Sequence, residues 1–266
     1  MKEKLTIVKV GGAVVEDGQQ LRQLLDDFAR IDGAKVLVHG GGRRATKVAA
    51  ALGIESKMVG GRRITDAEML EVVTMVYGGL VNKNVVAQLQ ARHIDAIGLT
   101  GADLDVIRSH RRPLKHMVVD DVEQDVDFGF VGDVDYARGS KLHHLIGSGA
   151  VPVMAPLTHD GKGNLLNTNA DTIVAETAKA MAEIYDVTLV YAFEKAGVLR
   201  DADDDSSVIP LIDKKLFEQY KNDGTISGGM LPKIENALQA VEAGVARVVI
   251  TSAQAIASDG GTTIKL

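Results

Sequence analysis

Cysteine is absent from the chain, which removes disulfides, thiolate zinc sites and a nucleophilic thiol from consideration. There is no excess of positive charge either: 30 Lys and Arg stand against 36 Asp and Glu, a formal net charge of −6. Nucleic acid and anionic membrane both reward a basic face, so neither is expected as the main partner. No apolar run approaches the ~20 residues that span a bilayer. Met-Lys-Glu-Lys leads almost directly into a strand, without the charged and apolar leader that marks secretion, and a cytoplasmic location is expected. What remains is ordinary globular composition, 45% hydrophobic and 25% charged over 266 residues. That length suits one large α/β domain or two closely joined lobes.

Short runs rich in Val and Ile alternate with helical patterns. Buried strands are expected over 5–10, 36–39, 94–99, 151–154, 187–191 and 245–251. Helices are expected over 19–31, 43–52, 66–92, 139–146, 170–183, 214–221 and 231–243, with Gly33, Gly149 and Gly244 as helix stops. Such alternation implies βαβ units and a mostly parallel sheet covered on both faces. It lapses at 106–132 and again at 158–168, which read as hairpin insertions on one side of the sheet. Thr65-Asp66-Ala67-Glu68 fits a capping box, with the Thr65 hydroxyl as cap of the long helix. That helix is apolar beyond one stripe, from Met69 through Met75 and Leu80 to Leu89. It is either shared with a subunit interface or buried within one subunit. Gly78-Gly79 in its middle costs about 1 kcal/mol each against Ala unless close packing compensates.

Gly40-Gly41-Gly42-Arg43-Arg44-Ala45 fits the G-x-G-x-x-A form of the dinucleotide fingerprint. The fingerprint also needs an acidic residue about 20 positions on. There the chain reads ESKMVGGRRITDAE (55–68), basic and glycine-rich, and opens a helix. No Walker A pattern occurs. Three other places look like anion sites. Lys9 sits inside the apolar run IVKVGGAVV; a lysine buried in a strand needs an anion or carboxylate to meet it, whereas one on an edge strand does not. Asn167, Asn169 and Asp171 surround a helix start, where Asn169 as N-cap leaves Asp171 unexplained. Lys233 falls in the first turn of a helix, against the dipole, which a nearby anion would account for. Asp203-Asp204-Asp205 reads as a solvated loop, and His39 as structural.

Five segments, VKVGG (8–12), VHGGG (38–42), KMVGGRRITD (57–66), NTNAD (167–171) and GGMLPKIENA (228–237), follow one another at family spacing. Through them the chain resembles the amino acid kinase family over essentially its whole length, and within it the members that phosphorylate an N-acylated glutamate. The resemblance implies a three-layer α/β/α sandwich about an open, mainly parallel sheet of about eight strands. It implies one domain, with an acceptor-binding and dimerising lobe over about 1–184 and an ATP lobe over about 185–266. ATP, with Mg²⁺ on its phosphates and no dedicated protein metal site, would phosphorylate the side-chain carboxylate. Lys9 and Lys233 would neutralise the transferring phosphoryl, and Asp171 would hold both lysines. Gly11 and Gly12 would offer amides to the phosphates, and Gly41 and Gly42 to the acceptor. Arg63 would pair with the α-carboxylate and Asn167 would bind near it. Glu194, Gly197, Leu199, Ile226 and Ser227 would contact the nucleotide.

The chain departs from the family at FEKAGVL (193–199), where Glu194 and Lys195 replace an Asp-Val pair, and at Leu104, where glycine is usual. Acetyl is the family's common acyl group; succinyl would need a roomier or more basic pocket, for which Arg62 and the run His110-Arg111-Arg112 offer charge. Resemblance to the shorter members implies a homodimer without arginine feedback. Two other classes stay open: a dinucleotide-dependent oxidoreductase, whose acidic residue is missing, and a non-catalytic amino-acid sensor, which would be expected to lack Lys9, Asp171 or Lys233.

Overall fold

β1 (Lys4–Val10) alternates in the manner of a strand covered on both sides: Leu5 and Ile7 are fully buried on one face, Val8 and Val10 on the other. The structure, a computed structural model, describes residues 2–119, 122–201, 203–258 and 260–266. β1 lies within an eight-stranded sheet with β2 (Ala34–His39), β3 (Ala96–Leu99), β4 (Val151–Met154), β5 (Asp186–Phe193), β6 (Leu211–Ile212), β7 (Arg247–Ser252) and β8 (Thr262–Ile264). Their spatial order is β6-β8-β7-β5-β1-β2-β4-β3. From β3 through β7 every pairing is parallel; β8 runs antiparallel to β7 and parallel to β6. Lys9 is therefore central, not on an edge.

One core lies on the Leu5 and Ile7 face, where Ile173, Val174 and Ile234 come from the Ala170–Ala182 and Leu231–Glu242 helices. On the other face Val8, Val10 and Leu37 meet Leu21 and Phe28 of the Gly18–Arg30 helix and Met69, Val72 and Val85 further on. The outcome is the three-layer sandwich expected from the resemblance. Lys9 shares the Leu5 and Ile7 face, so it projects toward the layer that carries Asp171 and Lys233.

Four details differ from the sequence reading. β6 and β8, of two and three residues, and the five-residue helix Gly12–Glu16 are too short to show a period. The two insertions are not separate hairpins. Leu165–Asn167, Leu157–His159, Ile107–Arg111 and Gly132–Ala137 join, in that order, in one four-stranded sheet, and Lys115–Val119 pairs with Val122–Val126 beside it. The cap of the long helix is Asp66, which accepts from the Met69 N–H at 2.9 Å. Thr65 is engaged elsewhere, its backbone with Phe128 and Phe130 and its hydroxyl with Asn167. Finally, the long helix is not regular: Ala67–Val73 and Asn82–Gln90 are α-helical, and Thr74–Val81 between them is a π-helix. Within it Val76 and Tyr77 are buried, whereas Met75 is 53% and Leu80 49% exposed.

Candidate active site

β1 pairs with β2 on one side and β5 on the other, so the chain leaves their carboxyl ends in diverging directions. Open α/β sheets form their ligand crevice at such a switch point. Two glycine loops enter it and begin helices, Gly11 as N-cap of Gly12–Glu16 and Gly41 as N-cap of Gly42–Ala51. The loops touch: a Cβ on Gly40 would come within 3.1 Å of the Gly12 nitrogen. A Cβ on Gly41 would lie 2.8 Å from Cδ1 of Tyr77, whose ring the π-helix brings to the loop. These contacts explain the glycines by close approach, and the π-helix by what it delivers; such bulges cluster at functional sites.

Lys9 lies at the floor of the crevice with its side chain 9% exposed, 2.8 Å from Asp171. Asp171 is in the first turn of the Ala170–Ala182 helix, whose Asn169 cap accepts from the Asp171 N–H at 2.7 Å. Lys233, in the first turn of the Leu231–Glu242 helix, reaches the same place from the C-terminal part of the chain. Burial first, and then the neighbouring Lys9 charge, lower the Lys233 pKa, while Asp171 and Glu194 act the other way. Asp171 was expected to hold both lysines, but among the described residues it pairs with Lys9 alone. The Lys233 ammonium instead lies 4.1 Å from the centroid of the Phe193 ring.

One cavity opens beside this floor toward the N-terminal side. Gly41, Gly42, Arg62, Arg63, Tyr77, Arg112 and Asn167 line it. Arg63, 9% exposed, donates from Nη2 to the Gly42 carbonyl at 2.9 Å and to Thr46 Oγ1 at 2.8 Å, and from Nη1 to Ser56 Oγ. It thereby ties the Met58–Val59 and Arg62–Arg63 hairpin to the Gly42 loop. Asn167 donates from Nδ2 to Thr65 Oγ1 at 2.9 Å. The run His110-Arg111-Arg112 divides. His110 and Arg111 pair with Asp135 and Asp127 on the surface. Arg112 turns inward, donating from Nε and Nη2 to Asp133 while its buried Nη1 has no hydrogen-bond partner.

A second cavity, on the C-terminal side, is lined by Gly11, Gly12, Phe193, Glu194, Gly197 and Lys233. It continues into a third lined by Gly197, Leu199, Ile226 and Ser227. Gly197 is confined: a Cβ there would lie 2.8 Å from Thr262 Oγ1, which accepts from the Val198 N–H. Asp205 of the acidic triplet pairs with Lys195 at 2.9 Å. Most of the residues singled out in the sequence thus line three cavities, the first two sharing Gly42 and the last two Gly197, while Lys9 and Asp171 pair beside them. Tyr77, Tyr191 and Phe193 were missed. Tyr77 is indistinguishable in sequence from an apolar helix stripe, and Phe193 from the end of a buried strand.

His39 supports the loop from behind. Fully buried, it donates from Nδ1 to the Gly40 carbonyl at 2.8 Å and accepts at Nε2 from Asn82 at 3.1 Å. Asn82 Nδ2 is held in turn by the Val153 carbonyl at 2.9 Å. Burial pushes the imidazole pKa from 6.5 down to about 4. The unfolded chain takes up a proton below pH 6.5 that the folded chain refuses until about pH 4, so stability falls as pH falls through that window. The cost at its foot is about 3 kcal/mol. Urea unfolding across the window is expected to show a shallower loss in His39→Gln than in the parent protein. Parallel curves would exclude His39 as the cause.

The geometry agrees with what comparison with known proteins finds. Residues 4–252 match the model of the amino acid kinase family. A Bacteroides fragilis protein named acetylglutamate kinase is 65% identical, covering all of this chain and 98% of its own length. The solved structure of smu.665 from Streptococcus mutans superposes with a TM-score of 0.74 at 26% identity, covering 98% of both chains. Carbamate kinase from Giardia lamblia, solved with AMP-PNP, has a TM-score of 0.64 at 15% identity, covering 99% of this chain and 98% of its own. On the strength of the family match and the full-length relative, this chain belongs to the amino acid kinase family.

Proposed function

We propose that the protein transfers the γ-phosphoryl group of ATP to the side-chain carboxylate of N-acetyl-L-glutamate, as a step of arginine biosynthesis. The observation that carries this reading is that a cavity lined by Arg63 and Asn167 adjoins, at Gly42, a second lined by Phe193, Glu194 and Lys233, with the Lys9 and Lys233 ammoniums both near the Phe193 ring. A carboxylate oxygen attacks the γ-phosphorus, the bond from that phosphorus to the β,γ-bridging oxygen breaks, and ADP leaves with the electron pair. The acceptor is already an anion, so no general base is needed. What is needed is positioning and neutralisation of charge on the transferring group. Lys9 approaches from the β1 side and Lys233 from the leaving-group side. Asp171 fixes Lys9 through an ion pair at 2.8 Å. The amides of Gly11, Gly12, Gly41 and Gly42 face the phosphates and the acceptor. Arg63 takes the α-carboxylate and Asn167 the adjoining amide. The nucleotide occupies the cavities bounded by Glu194, Gly197, Leu199, Ile226 and Ser227, and Mg²⁺ enters on its phosphates, neutralising their charge.

In this reading residues 1–184 form the acceptor half and 185–266 the nucleotide half. The exposed Met75 and Leu80 on the long helix belong to a homodimer contact. No helix among the described residues is long and apolar enough to cross a membrane, and we assign the activity to the cytoplasm.

Arg112 favours a second reading of the acyl group. Its unpartnered, buried Nη1 and the neighbouring Arg62 lie at the acceptor cavity, where the terminal carboxylate of an N-succinyl group would satisfy them. Incubation with Mg-ATP and either acylglutamate, trapping the acyl phosphate with hydroxylamine, tests both readings. Hydroxamate is expected from at least one substrate; none from either overturns the kinase assignment. If succinyl is the substrate, Arg112→Gln raises its KM by about 30-fold or more and leaves that of the acetyl compound little changed. Equal effects on both would remove the succinyl reading.

A further inference from the structure

The cation sites of the crevice rest on an aromatic surface that a phosphoryl-transfer site does not obviously require. Phe193 is the last residue of β5, in register with Ser252, and its carbonyl accepts from the Ala253 N–H at 3.0 Å. The backbone beneath the ring is therefore fixed. Tyr191, two residues earlier on the same face, stacks with it at 5.9 Å between centroids and 3° between planes. Lys233 Nζ lies 4.1 Å and Lys9 Nζ 5.4 Å from the Phe193 centroid, both within the ~6 Å range in which a ring attracts a cation.

From this geometry we infer that Phe193 is a positioning residue, a neutral platform that holds the Lys9 and Lys233 ammoniums side by side in the place where the phosphoryl group passes. The inference rests on the phosphotransferase reading for its kinetic consequence, but not for its physical content. Two like charges brought together repel; burial first, and then that repulsion from Lys9, lower the Lys233 pKa. Asp171 offsets one of the two charges through its pair with Lys9. A second carboxylate under Lys233 would restore neutrality, but would also compete with the phosphate for the same ammonium. A ring face attracts the cation through its quadrupole and carries no net charge. Lys233 is thus localised yet left available to an incoming anion. Leucine or serine at 193 would leave the ammonium available but has no ring face to localise it.

Phenylalanine with one, two and three ring fluorines at position 193 keeps the shape while draining the ring face of negative potential. The expected result is a stepwise fall in kcat, reaching about tenfold at trifluorophenylalanine, with both KM values and the melting temperature nearly constant. Phe193→Leu should match the trifluoro protein and Phe193→Tyr should retain most of the rate. A flat fluorine series in an active enzyme overturns the platform. Independently of turnover, reductive ¹³C-methylation gives a Lys233 resonance, assigned with Lys233→Arg. It is expected upfield through the Phe193 ring current and at the bulk lysine position in Phe193→Leu. A bulk position in the parent protein overturns the platform as well. An upfield resonance in a protein that phosphorylates no acylglutamate keeps the platform and removes the functional reading.

Discussion

Replacing Lys9 with methionine will lower kcat by about a thousandfold or more and leave the fold intact. The two halves of that expectation have separate causes. A charge aimed at the transferring phosphoryl gains most when negative charge spreads over the group's equatorial oxygens, so its loss appears in kcat more than in either KM. Stability responds weakly because methionine fills the slot of the lysine stem on the Leu5 and Ile7 face. Asp171, left without its partner, keeps a side chain 36% exposed, so only its buried Oδ1 loses compensation and the cost to stability is partial. Lys9→Arg should not rescue the enzyme, since a planar guanidinium does not fit a slot that leaves the lysine side chain 9% exposed. Steady-state assay of ADP release, together with a thermal melt, tests the claim. A kcat reduced less than tenfold in a folded Lys9→Met protein would place Lys9 away from the phosphoryl group.

The parts of this site legible in the sequence are those that depend on short-range chemistry. The GG-to-helix transitions at 11–12 and 41–42, the Asn169 cap and the lysine inside an apolar run are local patterns, and each lies where the pattern implied. Six of the eight strands of the main sheet and six of the seven expected helices likewise lie where the hydrophobic period placed them among the described residues, and the seventh, 66–92, is interrupted by the π-helix. Pairing is different: that β5 lies beside β1, and so brings Phe193 over Lys9, is decided by contacts between residues far apart in the chain. Arg112 shows the same limit. Beside Arg111 and His110 it reads as one of three surface charges, but it follows the Ile107–Arg111 strand where the chain turns toward Asp133. Thr65 was misread as a cap because its backbone is claimed by the 128–130 segment, more than 60 residues away. The π-helix was not legible at all: its eight residues, Thr74–Val81, are as apolar as an ordinary helix. Its Gly78 and Gly79 marked a weakness without saying what form it would take.

Arg63→Lys should raise the KM for the acylglutamate by about 100-fold, with the KM for ATP changed little. The charge is conserved, so a purely electrostatic role would tolerate the change. Geometry argues otherwise. The Arg63 guanidinium already divides its donors among Ser56, the Gly42 carbonyl and Thr46, and so sets both its own plane and the first turn of the Gly42–Ala51 helix. A lysine ammonium carries its donors at a single point. It can keep the Gly42 carbonyl or reach the substrate carboxylate, but cannot hold the loop and present a planar fork at once. Hydrogen bonds to charged groups contribute about 1.5–3 kcal/mol each, and losing one in full and part of a second corresponds to about 100-fold. Because the Gly41 and Gly42 amides stand on the loop that Arg63 braces, kcat should also fall, by less than about tenfold. Three constants then discriminate. A rise confined to the acylglutamate KM assigns Arg63 to acceptor binding, and equal rises in both KM values mean that the substitution has collapsed the crevice. An unchanged acylglutamate KM would mean that the α-carboxylate lies elsewhere, with Arg112 and Arg62 the remaining cations on that cavity wall.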